Sequence, residues 1–252
     1  MKISAIFLGT SHGDPTRTRF CSSTLYRLGD CAFLIDAGEP VTGLLVRENI
    51  QPSRLDAIFL THMHIDHVGG LPALVHYIMK YPDKSRKTEL LFPEPEAIAR
   101  FRNWMDAAKA YIRPESVFCT ALRPDSVWSK NGVRVSVIPT EHLKSINSPS
   151  YAFLIETDTC RILHTGDLSA DFHDFPGIAF ETPLDVCVCE ATHIGGRLET
   201  FLEQIAKAPL KQLVFNHVGP LWTDGKEKIL EDAAADLPFP VIVARDGSRI
   251  DL

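Results

Sequence analysis

Long apolar runs are missing from this chain: no stretch approaches the ~20 consecutive apolar residues of a membrane span. The first apolar segment, Ile3–Leu8, is too short for a secretory signal and reads as an opening strand. Paired C-x-x-C spacing is missing too. The six cysteines (Cys21, Cys31, Cys119, Cys160, Cys187 and Cys189) are scattered through strand-like runs. That argues against a disulfide framework and for buried free thiols in a reducing compartment. A basic excess is absent: the formal net charge is −6, so nothing global attracts nucleic acid or an anionic membrane. No internal repeat or low-complexity linker divides the 252 residues, so residues 1–252 read as one domain. With 45% apolar and 23% charged residues, the composition is that of a soluble globular protein able to bury a full core. A cytoplasmic protein without membrane contact is expected.

What is present is concentrated in Asp56–Gly70. An apolar run, Ile58–Leu60, leads into His62-Met-His64-Ile-Asp66-His67 and then Gly69-Gly70. His62 and His64 are two apart, so an extended backbone points both imidazoles to one face. A helix would not do this, because residues two apart do not face each other there. Asp66 and His67 follow where the chain turns, and the glycines let it swing into a helix over Leu71–Lys80. A strand end running into a turn can aim three imidazoles and a carboxylate at one small volume. Without a cation, the same residues would concentrate charge and desolvation cost for no return.

The remaining chain reads as strands and helices in alternation. Ile3–Leu8 is a strand, and Ser23–Arg27 and Cys31–Asp36 form a hairpin turning at Gly29-Asp30. Pro40–Asn49 is an amphipathic helix. Lys80–Lys87 is a polar, basic loop that could line a site for an anionic substrate. Glu89–Phe92 is a strand, and Pro93-Glu-Pro95 opens a helix expected to reach about Tyr111, whose Phe101, Arg102, Trp104, Lys109 and Tyr111 are read as packing in the core, with overhang of the active site as the alternative. Val117–Leu122, Val127-Trp128 and Val133–Ile138 are strands, with Asn131-Gly132 as a hairpin turn. Tyr151–Glu156, Cys160–His164, Leu184–Cys189 and Lys211–Phe215 are strands, and Leu198–Ala208 and Lys226–Ala235 are helices. Val241–Ala244 is expected to be the last strand. Mixed sheets in two layers with helices outside fit this order.

The motif His62-x-His64-x-Asp66-His67 with its following glycines resembles the signature of the metallo-β-lactamase superfamily of metal-dependent hydrolases. Phe7-Leu-Gly-Thr10 and Leu34-Ile-Asp36-Ala-Gly38 resemble the opening strands of its ribonuclease Z-like and phosphodiesterase-like branch. His142, Thr165-Gly-Asp167 and Asn216-His217 fall in the family's order, so the resemblance spans nearly the whole chain. It implies an α/β fold: a four-layer αβ/βα sandwich of two mixed β-sheets flanked by helices, with ligands on loops along one sheet edge. Each implied ligand does follow an apolar strand-like run: His62 and His64 after Ile58–Leu60, His142 after Val133–Ile138, Asp167 after Ile162-Leu163, and His217 after Leu213–Phe215.

Carried across position by position, the resemblance assigns one metal to His62, His64 and His142 and the other to Asp66, His67 and His217, with Asp167 bridging. Asp36 would sit beneath them, holding an imidazole; its alternative is a turn aspartate before Gly38. Imidazole nitrogens with a few hard oxygens suit Zn²⁺, and ligand type also admits Mn²⁺ or Fe²⁺. Two divalent cations about 3.5–4 Å apart lower the pKa of a shared water towards ~7 and polarise a phosphoryl or carbonyl oxygen. Asp66 could also accept a proton from that nucleophile. Glu190-Ala-Thr-His193 resembles the ribonuclease Z segment whose His-Glu pair assists the leaving group, although Cys189 stands where that family has histidine. His193, displaced in sequence, then takes the role, with His12 and His173 as further candidates and Thr61 and Ser169 as residues that could orient ligands.

A tRNA-processing enzyme of this branch would carry a long arm between the third and fourth motifs, yet His142 and Asp167 are 25 positions apart. With the acidic charge balance, this points to a small anionic ester: a cyclic or other nucleotide-like diester, a phosphonate-derived diester or a short RNA. The expected function is a dinuclear metal hydrolase cleaving a small phosphodiester with a metal-bridging hydroxide. Hydrolysis of a lactone, thioester, carboxylic or sulfate ester on the same site is the alternative, ahead of a metal-dependent binding or sensing role. tRNA is not an expected partner, and a homodimer is left open.

Overall fold

Apolar residues in the strands face two ways, and that alternation builds the layers. The computed structural model describes residues 3–252. Its first half contains β1 (Ile3–Gly9), β2 (Ser23–Leu28), β3 (Cys31–Ile35), α1 (Val41–Arg47), β4 (Ala57–Phe59), α2 (Ile65–Val68), α3 (Leu71–Lys80), β5 (Thr88–Phe92), α4 (Pro95–Ala107) and β6 (Val117–Ala121). The second contains β7 (Val127–Lys130), β8 (Val133–Thr140), β9 (Ser150–Glu156), β10 (Arg161–His164), α5 (Ile178–Glu181), β11 (Val186–Glu190), α6 (Leu198–Ile205), β12 (Leu213–Asn216), α7 (Glu227–Ala233), β13 (Val241–Val243) and β14 (Ser248–Asp251). Two seven-stranded mixed sheets result, in the orders β14-β1-β2-β3-β4-β5-β6 and β13-β12-β11-β10-β9-β8-β7.

Because successive side chains on a strand point to opposite faces, each sheet feeds two cores. Ala5, Phe7, Phe33 and Phe59 meet Val135, Phe153, Ile162, Val188 and Val214 between the sheets. The alternate residues Ile6, Leu8, Leu34 and Ile58 pack outward against Leu44, Leu74, Ile78 and Phe101 of α1, α3 and α4. On the far side, Leu163, Cys187, Leu213 and Phe215 pack against Phe201, Ile205 and Leu230 of α6 and α7. This is the expected αβ/βα sandwich of two mixed sheets flanked by helices. Among the described residues, no helix is long and apolar enough to cross a membrane.

Several element expectations need correction. Asp66 and His67 lie in a one-turn helix, α2, rather than an open turn. The helix opened by Pro95 stops at Ala107, because Lys109 takes a left-handed φ of 59° and the Ala110 N–H closes back on Met105 O. A non-glycine residue fills that position, so the sequence carried no stop signal. Phe101 is buried as expected, but Trp104 and Tyr111 are exposed. The last strand is Ser248–Asp251, not Val241–Ala244; it pairs antiparallel with β1 and closes the first sheet with residues near the chain's C-terminal end. The basic Lys80–Lys87 loop lies at the other end of β4 from His62: its Arg86 is 3.2 Å from Asp56, the residue that precedes β4, and Lys130 also pairs with that carboxylate at 2.8 Å.

Candidate metal centre

The ends of four strands converge on the candidate centre. The chain leaves β4 at Phe59 into the His62–His67 segment, β8 at Thr140 into His142, β10 at His164 into Asp167, and β12 at Asn216 into His217. β10, β11 and β12 run parallel, so the Asp167, Glu190 and His217 ends share one edge of the second sheet. Crossing from the first sheet, Tyr151 N–H donates to Thr61 O at 3.0 Å and docks the motif loop on β9.

Two groups of ligand atoms meet there. His62, His64, His142 and Asp167 form one, and Asp66, His67 and His217 the other; within each, one ligand atom per residue lies within 4.8 Å of the rest. Asp167 faces both. Its Oδ2 is 3.8 Å from His62 Nε2 and 3.7 Å from His142 Nε2, while its Oδ1 is 3.4 Å from His67 Nε2 and 3.6 Å from His217 Nε2. Asp66 Oδ2 lies 3.4 Å from His67 Nε2 and 3.2 Å from His217 Nε2.

Hydrogen bonding on the outer side of the rings shows what this space fits. Thr61 Oγ1 donates to Asp36, so it accepts from His62 Nδ1–H at 3.0 Å. His67 Nδ1–H donates to Asp36 Oδ2 at 2.7 Å. His142 Nδ1–H donates to Leu168 O at 3.2 Å. Thr192 Oγ1 donates to His217 O and so accepts from His217 Nδ1–H at 3.1 Å. In their neutral forms all four rings therefore turn Nε2 lone pairs inward, towards two carboxylates. His67 Nε2 and His217 Nε2 stand 3.2 Å apart, and the buried His62 Nε2 and Asp167 Oδ1 have no hydrogen-bond partner. A space lined by acceptors alone calls for cations, and nitrogen with carboxylate oxygen is a transition-metal donor set.

The electrostatics agree. Burial alone would push His67 down, yet Asp167 and Asp36 hold it well above the ordinary imidazole range, so the carboxylates demand positive charge. Burial opposes ionisation of Asp167, but His217 and His67 hold it well below the carboxylate range. His62 and His142 are pushed down, chiefly by burial, which favours the neutral form a metal needs.

The other sequence candidates separate. The His193 ring lies tilted against His142, with centroids 4.6 Å apart, and its Nδ1 is 3.3 Å from Glu190 Oε1, close enough for an ion pair without hydrogen-bond alignment. Glu190, buried at the end of β11, uses Oε2 to accept the N–H groups of Thr192 (2.6 Å) and His193 (2.8 Å). Burial opposes protonation of His193, while Glu190 raises it above the ordinary range. With Asp167 and His217, His193 forms a third group able to hold a cation. His12 is half-buried, its Nδ1 3.3 Å from Val218 O, and burial followed by His217 pushes it down. His173 does not reach the centre: it is exposed and paired with Asp171 and Glu141. Asp36 is both alternatives at once, a turn residue at φ 63° and the carboxylate under His67. Thr192, which sets the His217 ring, was not recognised from sequence; a threonine in a loop carries no signal for that role.

The family described as anti-Pycsar protein Apyc1 matches residues 3–209. Ribonuclease Z of Methanocaldococcus jannaschii is 28% identical over 154 residues, covering 60% of this chain but only 46% of that enzyme, so the match spans less than half of that relative. Ribonuclease Z of Treponema denticola is 25% identical over 308 aligned positions, covering 100% of this chain and 99% of the relative. Among solved structures, the metallo-β-lactamase fold protein YhfI of Bacillus subtilis superposes with a TM-score of 0.78 at 18% identity, covering 99% of each chain, a likeness of fold.

Proposed function

We propose, for a chain that belongs to the anti-Pycsar protein Apyc1 family, the hydrolysis of a small phosphodiester at a two-metal centre. The observation that carries this reading is Asp167, whose two oxygens face two separate groups of inward-turned ligands. His62, His64 and His142 with Asp167 Oδ2 would hold one cation, and Asp66, His67 and His217 with Asp167 Oδ1 the other; Zn²⁺ is the first choice. When bound, such a pair supplies Lewis acidity to a phosphoryl oxygen and acidifies water.

The chain's own groups then divide the proton traffic. Asp66 accepts a proton from the attacking water as its oxygen bonds to phosphorus. The phosphorus–oxygen bond to the leaving group breaks, and His193, whose pKa Glu190 raises against the effect of burial, gives a ring proton to the departing alkoxide. His12, held down by burial, is better suited to contact substrate as a neutral ring than to act as the acid. Phosphodiester chemistry draws support from the relatives named ribonuclease Z. Small size draws support from the His142–Asp167 connection, which is filled by a short helical turn (Lys144–Ile146), β9 and β10, leaving no tRNA-gripping arm.

Metal-loaded protein should be assayed on bis(p-nitrophenyl) phosphate, cyclic nucleotides, a lactone, a thioester and a precursor tRNA. Diester turnover is expected, reduced about 10²–10⁴-fold in Asp66→Asn, with little position-specific tRNA cleavage. Lactone or thioester turnover without diester turnover would replace the proposed substrate class. Near-normal turnover by Asp66→Asn would remove that residue from the chemistry.

A further inference from the structure

His142 is useful to a cation only if its Nδ1–H is occupied elsewhere, and the acceptor is the Leu168 carbonyl. The two residues come from the ends of β8 and β10, which are separated in the sheet by β9, so no ladder hydrogen bond ties those ends together. One carboxylate does so. Asp174 Oδ2 accepts the Glu141 N–H at 2.6 Å, and Asp174 Oδ1 accepts the Ser169 N–H at 3.0 Å and the Ser169 hydroxyl at 2.7 Å. The residue before His142 and the residue after Leu168 are thus fixed to the same side chain.

Asp174 is itself anchored. Phe172 and Phe175 flank it and are buried against Phe201. Phe172 takes a left-handed φ of 46°, its N–H donates to Ser169 O at 2.8 Å, and the Phe175 N–H donates to Phe172 O at 3.0 Å. This makes a closed turn with its aromatic feet in the core and its carboxylate aimed at both ligand loops.

We infer that Asp174 is a positioning residue, which fixes the tautomer and ring direction of His142 by holding both ends of the His142–Leu168 contact. The inference rests on the metal-centre reading above. Outer groups that orient a histidine ligand commonly govern metal affinity by about 10–100-fold. Neighbouring Asp171, whose carboxylate pairs with the His173 ring and the Ser169 hydroxyl at the exposed surface, serves as the contrast.

The test is Co²⁺ binding in a His217→Ala background, where the His62, His64 and His142 group is read alone, by chelator competition and visible absorption. Asp174→Ala and the milder Asp174→Asn should each bind Co²⁺ about tenfold more weakly with a shifted visible spectrum. Asp171→Asn should match the parent. Parent-like affinity and spectrum in Asp174→Ala would overturn the inference, as would an equal loss in Asp171→Asn. If Asp174→Ala does not fold, Asp174→Asn decides on the same criteria. Failure of the His217→Ala parent to bind Co²⁺ would overturn the metal-centre reading, and this inference with it.

Discussion

Asp36, Thr61 and Thr192 illustrate how little freedom a ligand ring has. His62, His67 and His217 are held from behind by Thr61, Asp36 and Thr192, and each of those side chains is fixed by a further hydrogen bond: Thr61 donates to Asp36, and Thr192 donates to His217 O. His173 is a useful contrast, because its charge is spent outside the centre. Asp171, followed by Glu141, raises its pKa from 6.5 to about 9, and its hydrogen bond in turn lowers Asp171 to about 2. The sign follows: stabilisation through His173 is complete below its ordinary value and lost as pH rises through about 9. Stabilisation through Asp171 is present above its ordinary 3.8 and lost as pH falls through about 2. An NMR titration of the His173 ring should give a midpoint near 9 that falls towards 6.5 in Asp171→Asn; a midpoint near 6.5 in the parent would contradict this. The candidate ligands stood out in the sequence because they are histidines and aspartates in short segments that follow apolar runs. Thr192 and Asp174 did not, since the groups they bind, the His217 ring and carbonyl and the Glu141 and Ser169 N–H groups, come near them only in the fold.

At the scale of elements, what the sequence revealed depended on how much apolar pattern each carried. α3 matches its expected span because its buried face recurs at Leu71, Leu74, Val75 and Ile78. β14 escaped notice because Ile250 is its one buried apolar residue. The loop after β3 was marked only by Gly38, whose importance lies in contact: an added Cβ would sit 2.1 Å from Asp66 O and 2.7 Å from Cys21 Cβ. Neither neighbour is a flexible tip that could move aside. Gly38→Ala should therefore cost about 1–3 kcal/mol by overpacking and displace the backbone carrying Asp66. Urea unfolding of the metal-free protein measures the first effect, and unchanged stability would show that the β3 loop yields more readily than the geometry implies.

For the whole molecule, the sandwich brings strand ends from two sheets to one edge, so that no single segment holds a complete site. His217 lies beyond residues 3–209 matched by the family, yet the parallel run β10-β11-β12 delivers it beside Asp167. With a net charge of −6, the anionic substrate proposed above would be selected by local ligand geometry rather than by global attraction. The fold was readable because alternating strands and helices leave few layer arrangements; the substrate was not, because the ligand set is blind to what the ester carries. The most direct measurement is the metal content of the chain after loading and exhaustive dialysis. Elemental analysis should find close to two transition-metal ions per chain in the parent and close to one in His217→Ala, because seven ligands in two groups exceed one tetrahedral site. One ion or fewer in the parent, unchanged by His217→Ala, would contradict a two-metal centre.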